Sequence, residues 1–138
     1  MFLFFASLLQ FAQAENPFRV EIMPTMAYEG QQSTVDLVFV VPEGHHLYVD
    51  MLSVLPKPDA TLQFNTAVFP PGELKLDPAN PEQMREIYTK STKVKIPIQP
   101  LKFGSYPALI EVRYQGCKEG LCYMPKAEEL STVIVVNK

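Results

Sequence analysis

Hydrophobic and polar residues alternate in steps of two along most of this 138-residue chain. Such alternation is typical of strands with one buried face, and no segment sustains the 3.6-residue period of a helix. Proline or glycine ends most of the alternating runs, as turns require. The pattern predicts strands within residues 18–24, 33–42, 45–56, 60–72, 92–100, 106–117 and 131–138. Several short strands separated by turn residues predict an all-β protein, either a sandwich or a barrel.

The segment 73–88 is the longest one without a clear strand pattern. Pro81 directly after Asn80 suits the start of a helix, so residues 80–90 are expected to form one helical turn. Long segments of this kind often act as functional lids. We predict that less than about a tenth of the chain after residue 14 is α-helical.

Composition excludes some functions. The net charge is -3, and no cluster of Lys and Arg forms the basic surface that nucleic-acid binding needs. The chain is long enough for one domain with a real hydrophobic core. Thirteen prolines against six glycines disfavour a mostly helical protein.

The first fourteen residues are apolar and end in Ala12-Gln13-Ala14, which predicts a secretory signal peptide cleaved after Ala14. No Lys or Arg directly follows Met1, so the positive charge that usually begins a signal peptide is absent. A buried first helix is the alternative interpretation. The segment is shorter than the roughly 20 apolar residues of a transmembrane helix, and no later stretch qualifies. The mature domain is therefore expected at residues 15–138, exported to an oxidising compartment where a disulfide persists.

The two cysteines of the chain, Cys117 and Cys122, have four residues between them. Gly116 and Gly120 are expected to give their loop the positive-φ conformations of a tight ring. A structural clip is possible, although so short a loop stabilises by only roughly 2–3 kcal/mol in the chain-entropy model. A redox pair is possible, since a tight surface ring can open and close. A metal site would need further ligands. Residue chemistry alone leaves all three open.

His45 and His46 are the only histidines, and with the methionines they raise the idea of a metal carrier. Adjacent residues of a strand point to opposite faces, so the two imidazoles do not readily share a ligand. His46 is a candidate for a neighbour that tunes a thiolate, although the pattern favours a half-exposed histidine in a turn.

The run YQGCKEGLCY, followed by Pro125, resembles the signature of the N-terminal periplasmic domain of the thiol:disulfide interchange protein DsbD. The segments EGHHLYVDMLSV, FPPGE and EIYTKSTKVKIPI resemble further parts of that family in the same order, so the resemblance covers about residues 17–135. It implies an immunoglobulin-like β-sandwich without a cofactor. It also implies a protein-disulfide reductase that receives electrons from a membrane-embedded donor domain and passes them to thioredoxin-like periplasmic proteins.

The same resemblance implies residue roles. Cys117 and Cys122 would be the redox pair, with Cys122 attacking the partner and Cys117 resolving the mixed disulfide. Tyr48 matches a family tyrosine near the active site, and His46 falls where the family often has another tyrosine. Tyr114, which precedes the pair, and Tyr123, which follows it, are expected to flank the disulfide.

Two departures from the family pattern bear on the site. The loop between the cysteines has four residues instead of five, and the aromatic residue of the family's cap loop is not evident in residues 73–88. We therefore predict that the segment from Gly72 to Tyr88 partly covers the pair, with Leu76 or Met84 as the covering side chain. The alternatives are an immunoglobulin-like binding or assembly module with a purely structural disulfide and, less favoured, a periplasmic metal carrier.

Overall fold

The computed structural model describes residues 16–138, and this part of the chain contains strands, one short 3-10 turn at Val49–Met51 and no α-helix. The predicted signal peptide at residues 1–14 lies outside the described residues. The strands are β1 (Arg19–Ile22), β2 (Thr25–Tyr28), β3 (Ser33–Val40), β4 (His45–Tyr48), β5 (Ser53–Pro56), β6 (Leu62–Phe64), β7 (Glu73–Asp77), β8 (Asn80–Tyr88), β9 (Thr92–Pro100), β10 (Gly104–Tyr114), β11 (Gly116–Lys118), β12 (Leu121–Cys122) and β13 (Lys126–Asn137).

Two four-stranded sheets form an immunoglobulin-like β-sandwich, which confirms the predicted fold. Their strand orders are β1-β3-β9-β6 and β2-β13-β10-β5, and the pairing is antiparallel except between β13 and β2. The alternating runs supply the core, because every second residue of a strand faces the same side. The predicted inward faces are buried as expected: Val94, Ile96 and Ile98 of β9, and Ala108, Ile110, Val112 and Tyr114 of β10.

A third sheet, in the order β12-β11-β4-β8-β7, extends from the sandwich. It is anchored twice. Strand β4 continues through the 3-10 turn into β5, which pairs with β10, and β10 itself continues through Gln115 into β11. The small hairpin β11–β12 forms one edge of this sheet and the long hairpin β7–β8 forms the other. The sandwich therefore holds the two hairpins on either side of β4.

The segment 73–88 is a β-hairpin, so the predicted helical turn and irregular loop are both wrong. Most residues of β7 and β8 are exposed on both faces, because the hairpin projects beyond the sandwich. Without a buried face there is no alternation for the sequence to display. Pro81 lies at the turn end of β8, where a strand tolerates proline. Within residues 16–138 the helix content still agrees with the prediction of less than about a tenth.

Candidate redox site

Cys117 and Cys122 form a disulfide between directly opposed residues of β11 and β12, with their Cα atoms 3.9 Å apart. The two strands are joined by the two-residue turn Glu119–Gly120. Glu119 has φ of 54°, a left-handed conformation that is unfavourable for a residue with a Cβ. The positive φ therefore falls on Glu119, and the expectation that Gly116 or Gly120 would supply it is wrong.

Gly116 serves a different purpose, namely close packing. A Cβ atom at this position would lie 2.2 Å from the ring of Phe18 and 2.9 Å from the carbonyl oxygen of His46. Only glycine fits such an approach. The cysteine hairpin thus packs directly on the buried Phe18 ring, which is part of the principal core, and this contact helps to position the disulfide.

The two cysteines differ sharply in exposure. Cys117 is 0% exposed and packs with Tyr48 and Ile87 in a small hydrophobic cluster apart from the principal core. Cys122, at the outer edge of the sheet, is exposed. Cys122 is therefore the more accessible cysteine of the pair.

Strand pairing places the surrounding side chains. Cys117 is paired with both Cys122 and His46, so these three residues share one face of the third sheet, which we call the redox face. Tyr48 lies two residues beyond His46 and therefore on the same face. Its hydroxyl oxygen is 3.4 Å from Cys117 Sγ and 3.9 Å from Cys122 Sγ.

Hairpin β7–β8 adds a charged pair to the redox face. The Tyr48 hydroxyl donates a 2.7 Å hydrogen bond to Asp77 Oδ1, which also accepts the Ala79 N–H at 2.9 Å. The guanidinium carbon of Arg85 lies 3.5 Å from the centre of the Tyr48 ring, and Arg85 Nη1 is 3.7 Å from Asp77 Oδ2. Tyr48 is thus held between an anion and a cation.

These surroundings shift the pKa values of Tyr48 and Asp77 away from their ordinary values. Burial, reinforced by the hydrogen bond to Asp77, raises the pKa of Tyr48 to about 12. Burial also acts to raise the pKa of Asp77, but the hydrogen bonds from Tyr48 and Ala79 and the charge of Arg85 outweigh it. The pKa of Asp77 therefore lies below its ordinary value. At neutral pH the site holds a neutral phenol and a carboxylate.

His46 is 4% exposed and lies edge-to-face against Tyr48, with ring centroids 5.2 Å apart. Its Nε2 atom is buried and has no hydrogen-bond partner among residues 16–138. Burial lowers the pKa of His46, and the positive charges of His45 and Arg85 act in the same direction against the opposing effect of Asp77. The imidazole is therefore neutral at pH 7.

Residues 16–138 contain no group of three or more His, Cys, Asp and Glu side chains placed to hold a metal ion. The same range contains no helix long and apolar enough to cross a membrane. The redox face thus combines a disulfide between a buried and an exposed cysteine, a buried neutral imidazole and a phenol hydrogen-bonded to a carboxylate.

The family model for the N-terminal part of the thiol:disulfide interchange protein DsbD matches residues 10–134. The chain belongs to the DsbD N-terminal domain family. This confirms the resemblance found in the sequence. Family membership together with the Cys117–Cys122 disulfide supports thiol:disulfide interchange in general.

Curated DsbD relatives agree with this assignment. The DsbD protein of Vibrio cholerae is 31% identical over 119 residues, covering 84% of this chain and 18% of the relative. That of Ralstonia nicotianae is 28% identical over 116 residues, covering 83% of this chain and 17% of the relative. The chain thus spans about a fifth of the length of these relatives.

Solved structures of DsbD N-terminal domains share the fold. The reduced domain from Neisseria meningitidis has a TM-score of 0.57 at 24% identity, and the match covers 80% of this chain and 82% of that one. The same bacterium's domain in a complex with the PilB N-terminal domain has a TM-score of 0.61 at 24% identity, covering 88% and 87%.

Among the residues expected near the pair, His46 and Tyr48 lie on the redox face, whereas Tyr123 and Tyr114 lie elsewhere. Tyr123 lies at the base of the cysteine hairpin, where its N–H donates to the Gly116 carbonyl and its ring stacks on His45. Tyr114 packs in the principal core against Phe39, and its hydroxyl donates to Glu128.

Leu76 and Met84 do not join the site. They are opposite each other in the β7–β8 hairpin, one step out of phase with Arg85 and Ile87, so their side chains lie on the face away from Tyr48. They are 58% and 54% exposed. The hairpin approaches the cysteine loop at its turn instead, where the Pro78 carbonyl oxygen lies 3.9 Å from a Cβ built at Gly120.

Sequence reasoning missed Asp77 and Arg85, the two charged residues that contact Tyr48. Asp77 stands directly before Pro78, which is a turn signal and could have divided the segment into two strands. Counting back from such a turn would pair Lys75 with Glu82, whereas a register shift between Leu76 and Asp77 pairs it with Arg85. The turn also does not reveal that both hairpin strands reach Tyr48.

Proposed function

We propose that this chain is a periplasmic protein-disulfide reductase domain that passes two electrons from the Cys117/Cys122 dithiol to a disulfide in a thioredoxin-like partner. The observation that carries the proposal is the unequal exposure of the two cysteines. Exposed disulfides exchange with thiols far more readily than fully buried ones. A clip that served stability alone would have no need for an accessible sulfur.

The unequal exposure also favours one order of steps. In the reduced domain the Cys122 thiolate attacks one sulfur of the partner's disulfide, and the partner's other sulfur leaves as a thiolate. The Cys117 sulfur then attacks Cys122 Sγ, the Cys117–Cys122 bond forms, and the partner's first sulfur leaves with its electron pair. The pair is oxidised by two electrons and the partner's disulfide is reduced to two thiolates.

The surface around Cys122 suits a protein partner. Leu121 and Met124 are among the exposed large apolar side chains, and they flank the accessible cysteine. Apolar residues rimmed by polar ones are typical of interaction sites. A DsbD N-terminal domain from Neisseria meningitidis has been solved in complex with the PilB N-terminal domain, so a domain of this family does bind another protein.

The source of electrons is proposed to be a membrane-embedded donor domain of DsbD type. Support comes from the relatives, in which the matching region is only 18% and 17% of the whole protein. The export predicted from residues 1–14 would place the domain in the same compartment as its partners.

Cysteine variants test the proposed order. Reduced Cys117→Ser is expected to trap a mixed disulfide with an oxidised periplasmic thioredoxin-like protein, because the resolving thiol is gone. The matched variant Cys122→Ser keeps only the buried thiol and is expected to trap none. The adduct is read on a non-reducing gel and by mass spectrometry. Equal trapping by both variants would contradict the assigned roles.

The reduction potential separates exchange from a structural clip. A structural disulfide has a potential below about −300 mV, whereas an exchanging pair lies above it. Equilibration with glutathione or dithiothreitol buffers measures this value directly. A potential below that limit, together with no trapping, would favour the binding-module alternative.

A further inference from the structure

The resolving step of the proposed exchange requires a base close to Cys117. A thiolate, and not a thiol, is the nucleophile. Cys117 is 0% exposed, so bulk water has no direct access to its proton. A side chain of the redox face must therefore receive that proton. This inference rests on the proposed function, since only an exchanging pair needs such a group.

Two of the three candidate groups are poorly suited. The Tyr48 hydroxyl is 3.4 Å from Cys117 Sγ, but its proton is already donated to Asp77, and a neutral phenol is not a base. The Asp77 carboxylate accepts two hydrogen bonds and lies beside Arg85. Its lowered pKa makes it a weak proton acceptor.

His46 is the remaining group, and its position suits the task. It is the cross-strand partner of Cys117 on β4, so the two side chains leave the same face with Cβ atoms about 4.5–5.5 Å apart. Its Nε2 is buried and without a hydrogen-bond partner among the described residues. Buried polar atoms are nearly always hydrogen-bonded, and Nε2 makes no such bond within residues 16–138 while the disulfide is closed, so it is free to accept a proton.

We infer that His46 is the proton acceptor of the resolving step. While the disulfide is closed, the bond to Cys122 holds Cys117 Sγ in place. Once it is open, the sulfur can rotate about χ1 towards the imidazole of the neighbouring strand. The Cys117 proton then passes to Nε2 as its sulfur attacks Cys122 Sγ. The electron pair of the broken bond leaves with the partner's sulfur.

The surroundings of His46 favour a neutral base that readily gives its proton up again. Asp77, Arg85 and His45 are the charged or titratable groups that act on it, and burial lowers its pKa below the usual value. His46 also lines an open groove of about 310 Å³, together with Lys75 and Glu119. Because Nε2 itself is buried, the imidazolium formed during resolution passes its proton to the departing thiolate.

An aromatic disulfide reagent with a coloured thiolate, such as dithiobis(nitrobenzoate), separates the two steps. Mixed in equal amounts with the reduced domain, it releases one thiolate when Cys122 attacks and a second when Cys117 resolves. His46→Gln is expected to slow the second release about a hundredfold or more, the usual scale of a lost general base, and to leave the first nearly unchanged. His46→Phe, which keeps a ring against Tyr48, is expected to do the same if His46→Gln fails to fold.

The pH profile of the second release distinguishes a base from a packing residue. In the parent protein this rate should be flat between about pH 7 and 8, because the imidazole is already neutral there. In the variants it should rise about tenfold per pH unit with thiol ionisation. A lost packing contact would lower the rate without changing the shape of the profile.

His45→Gln is the matched control, since His45 is the neighbouring histidine but packs on the opposite side against Phe18 and Tyr123. It should leave the first release unchanged and should slow the second release far less than either His46 variant does. An unchanged second release in both His46 variants would overturn the role of His46 alone. Absence of any first release in the parent protein would instead contradict the exchange function.

Discussion

Strand β4 carries two faces that meet very different surroundings. On one side Leu47 packs into the principal core, which consists almost wholly of aliphatic and aromatic side chains from the two main sheets. On the other side His46 and Tyr48 lie beside the disulfide, with Asp77 and Arg85 supplied by the neighbouring hairpin. The same four residues of chain thus serve an apolar core and a polar site.

The comparison shows how stability and chemistry are divided in this domain. Apolar packing is non-directional, so the principal core makes few demands on the orientation of polar groups. Its weakness is the loss of buried atoms, because a cavity in the core lowers stability. The redox face buries a phenol, a carboxylate and an imidazole, each of which costs free energy unless it finds a partner. Tyr48 and Asp77 find partners, whereas Nε2 of His46 does not. Substitutions on the two faces should therefore fail in different ways.

The largest effect on stability is expected in the principal core. Leu37 is 0% exposed on β3. Leu37→Ala should lower the free energy of unfolding by about 2–5 kcal/mol, because it removes buried methyl groups and leaves a cavity. Chemical denaturation of the oxidised domain measures the loss. Below the transition, thiolate release from the aromatic disulfide should keep its parent rates.

Val133→Ala is the control for the core, since Val133 lies on the sandwich strand β13 but is largely exposed. Its effect should stay within about 0.5 kcal/mol. If Leu37→Ala also slowed exchange in the folded protein, the separation between the two faces would be lost.

The same contrast explains what the sequence could predict. Ile96 and Val112 sit in alternating runs because one side of each strand is buried, so both the strand and its inward face were readable. The pair of cysteines and Tyr48 were readable through the family resemblance. Strand β8 could not be predicted, because most of its residues are exposed and follow no hydrophobic period. Asp77 and Arg85 reach Tyr48 only through the pairing of β8 with β4, and no local pattern encodes that non-local contact.

A smaller loss is expected on the redox face. Asp77→Asn removes the charge that accepts the Tyr48 and Ala79 hydrogen bonds and that faces Arg85. At pH 7 it should lower the free energy of unfolding by about 1–3 kcal/mol. Since Tyr48 contacts both sulfurs, we expect the reduction potential of the pair to change as well. Denaturation and redox titration measure the two quantities.

The pH dependence of that loss has a definite sign. The folded-state pKa of Asp77 is below its ordinary value of 3.8, so the carboxylate stabilises the fold above that pH. The contribution disappears as the pH falls through the folded-state pKa. The difference between the parent protein and Asp77→Asn should therefore shrink below about pH 4. Asp50→Asn is the control, because Asp50 also pairs with Arg85 but its side chain is 70% exposed; its difference should be small at every pH.

The smallest effect is expected on the outer face of the β7–β8 hairpin. Leu76 and Met84 point away from Tyr48 and are more than half exposed. Leu76→Ser combined with Met84→Ser should therefore change the free energy of unfolding by no more than about 0.5 kcal/mol per site. Alkylation of Cys122 in the reduced domain should proceed at the parent rate, since neither side chain lies on its face. The part of the hairpin that approaches the cysteine loop is the turn at Pro78, which lies close to Gly120. Deleting residues 78–81 is then the sharper variant, and we expect it to speed alkylation of Cys122 severalfold. Faster labelling in the serine variant would restore the aliphatic cap that the sequence suggested, whereas unchanged labelling in both would leave the exposed Cys122 without a lid.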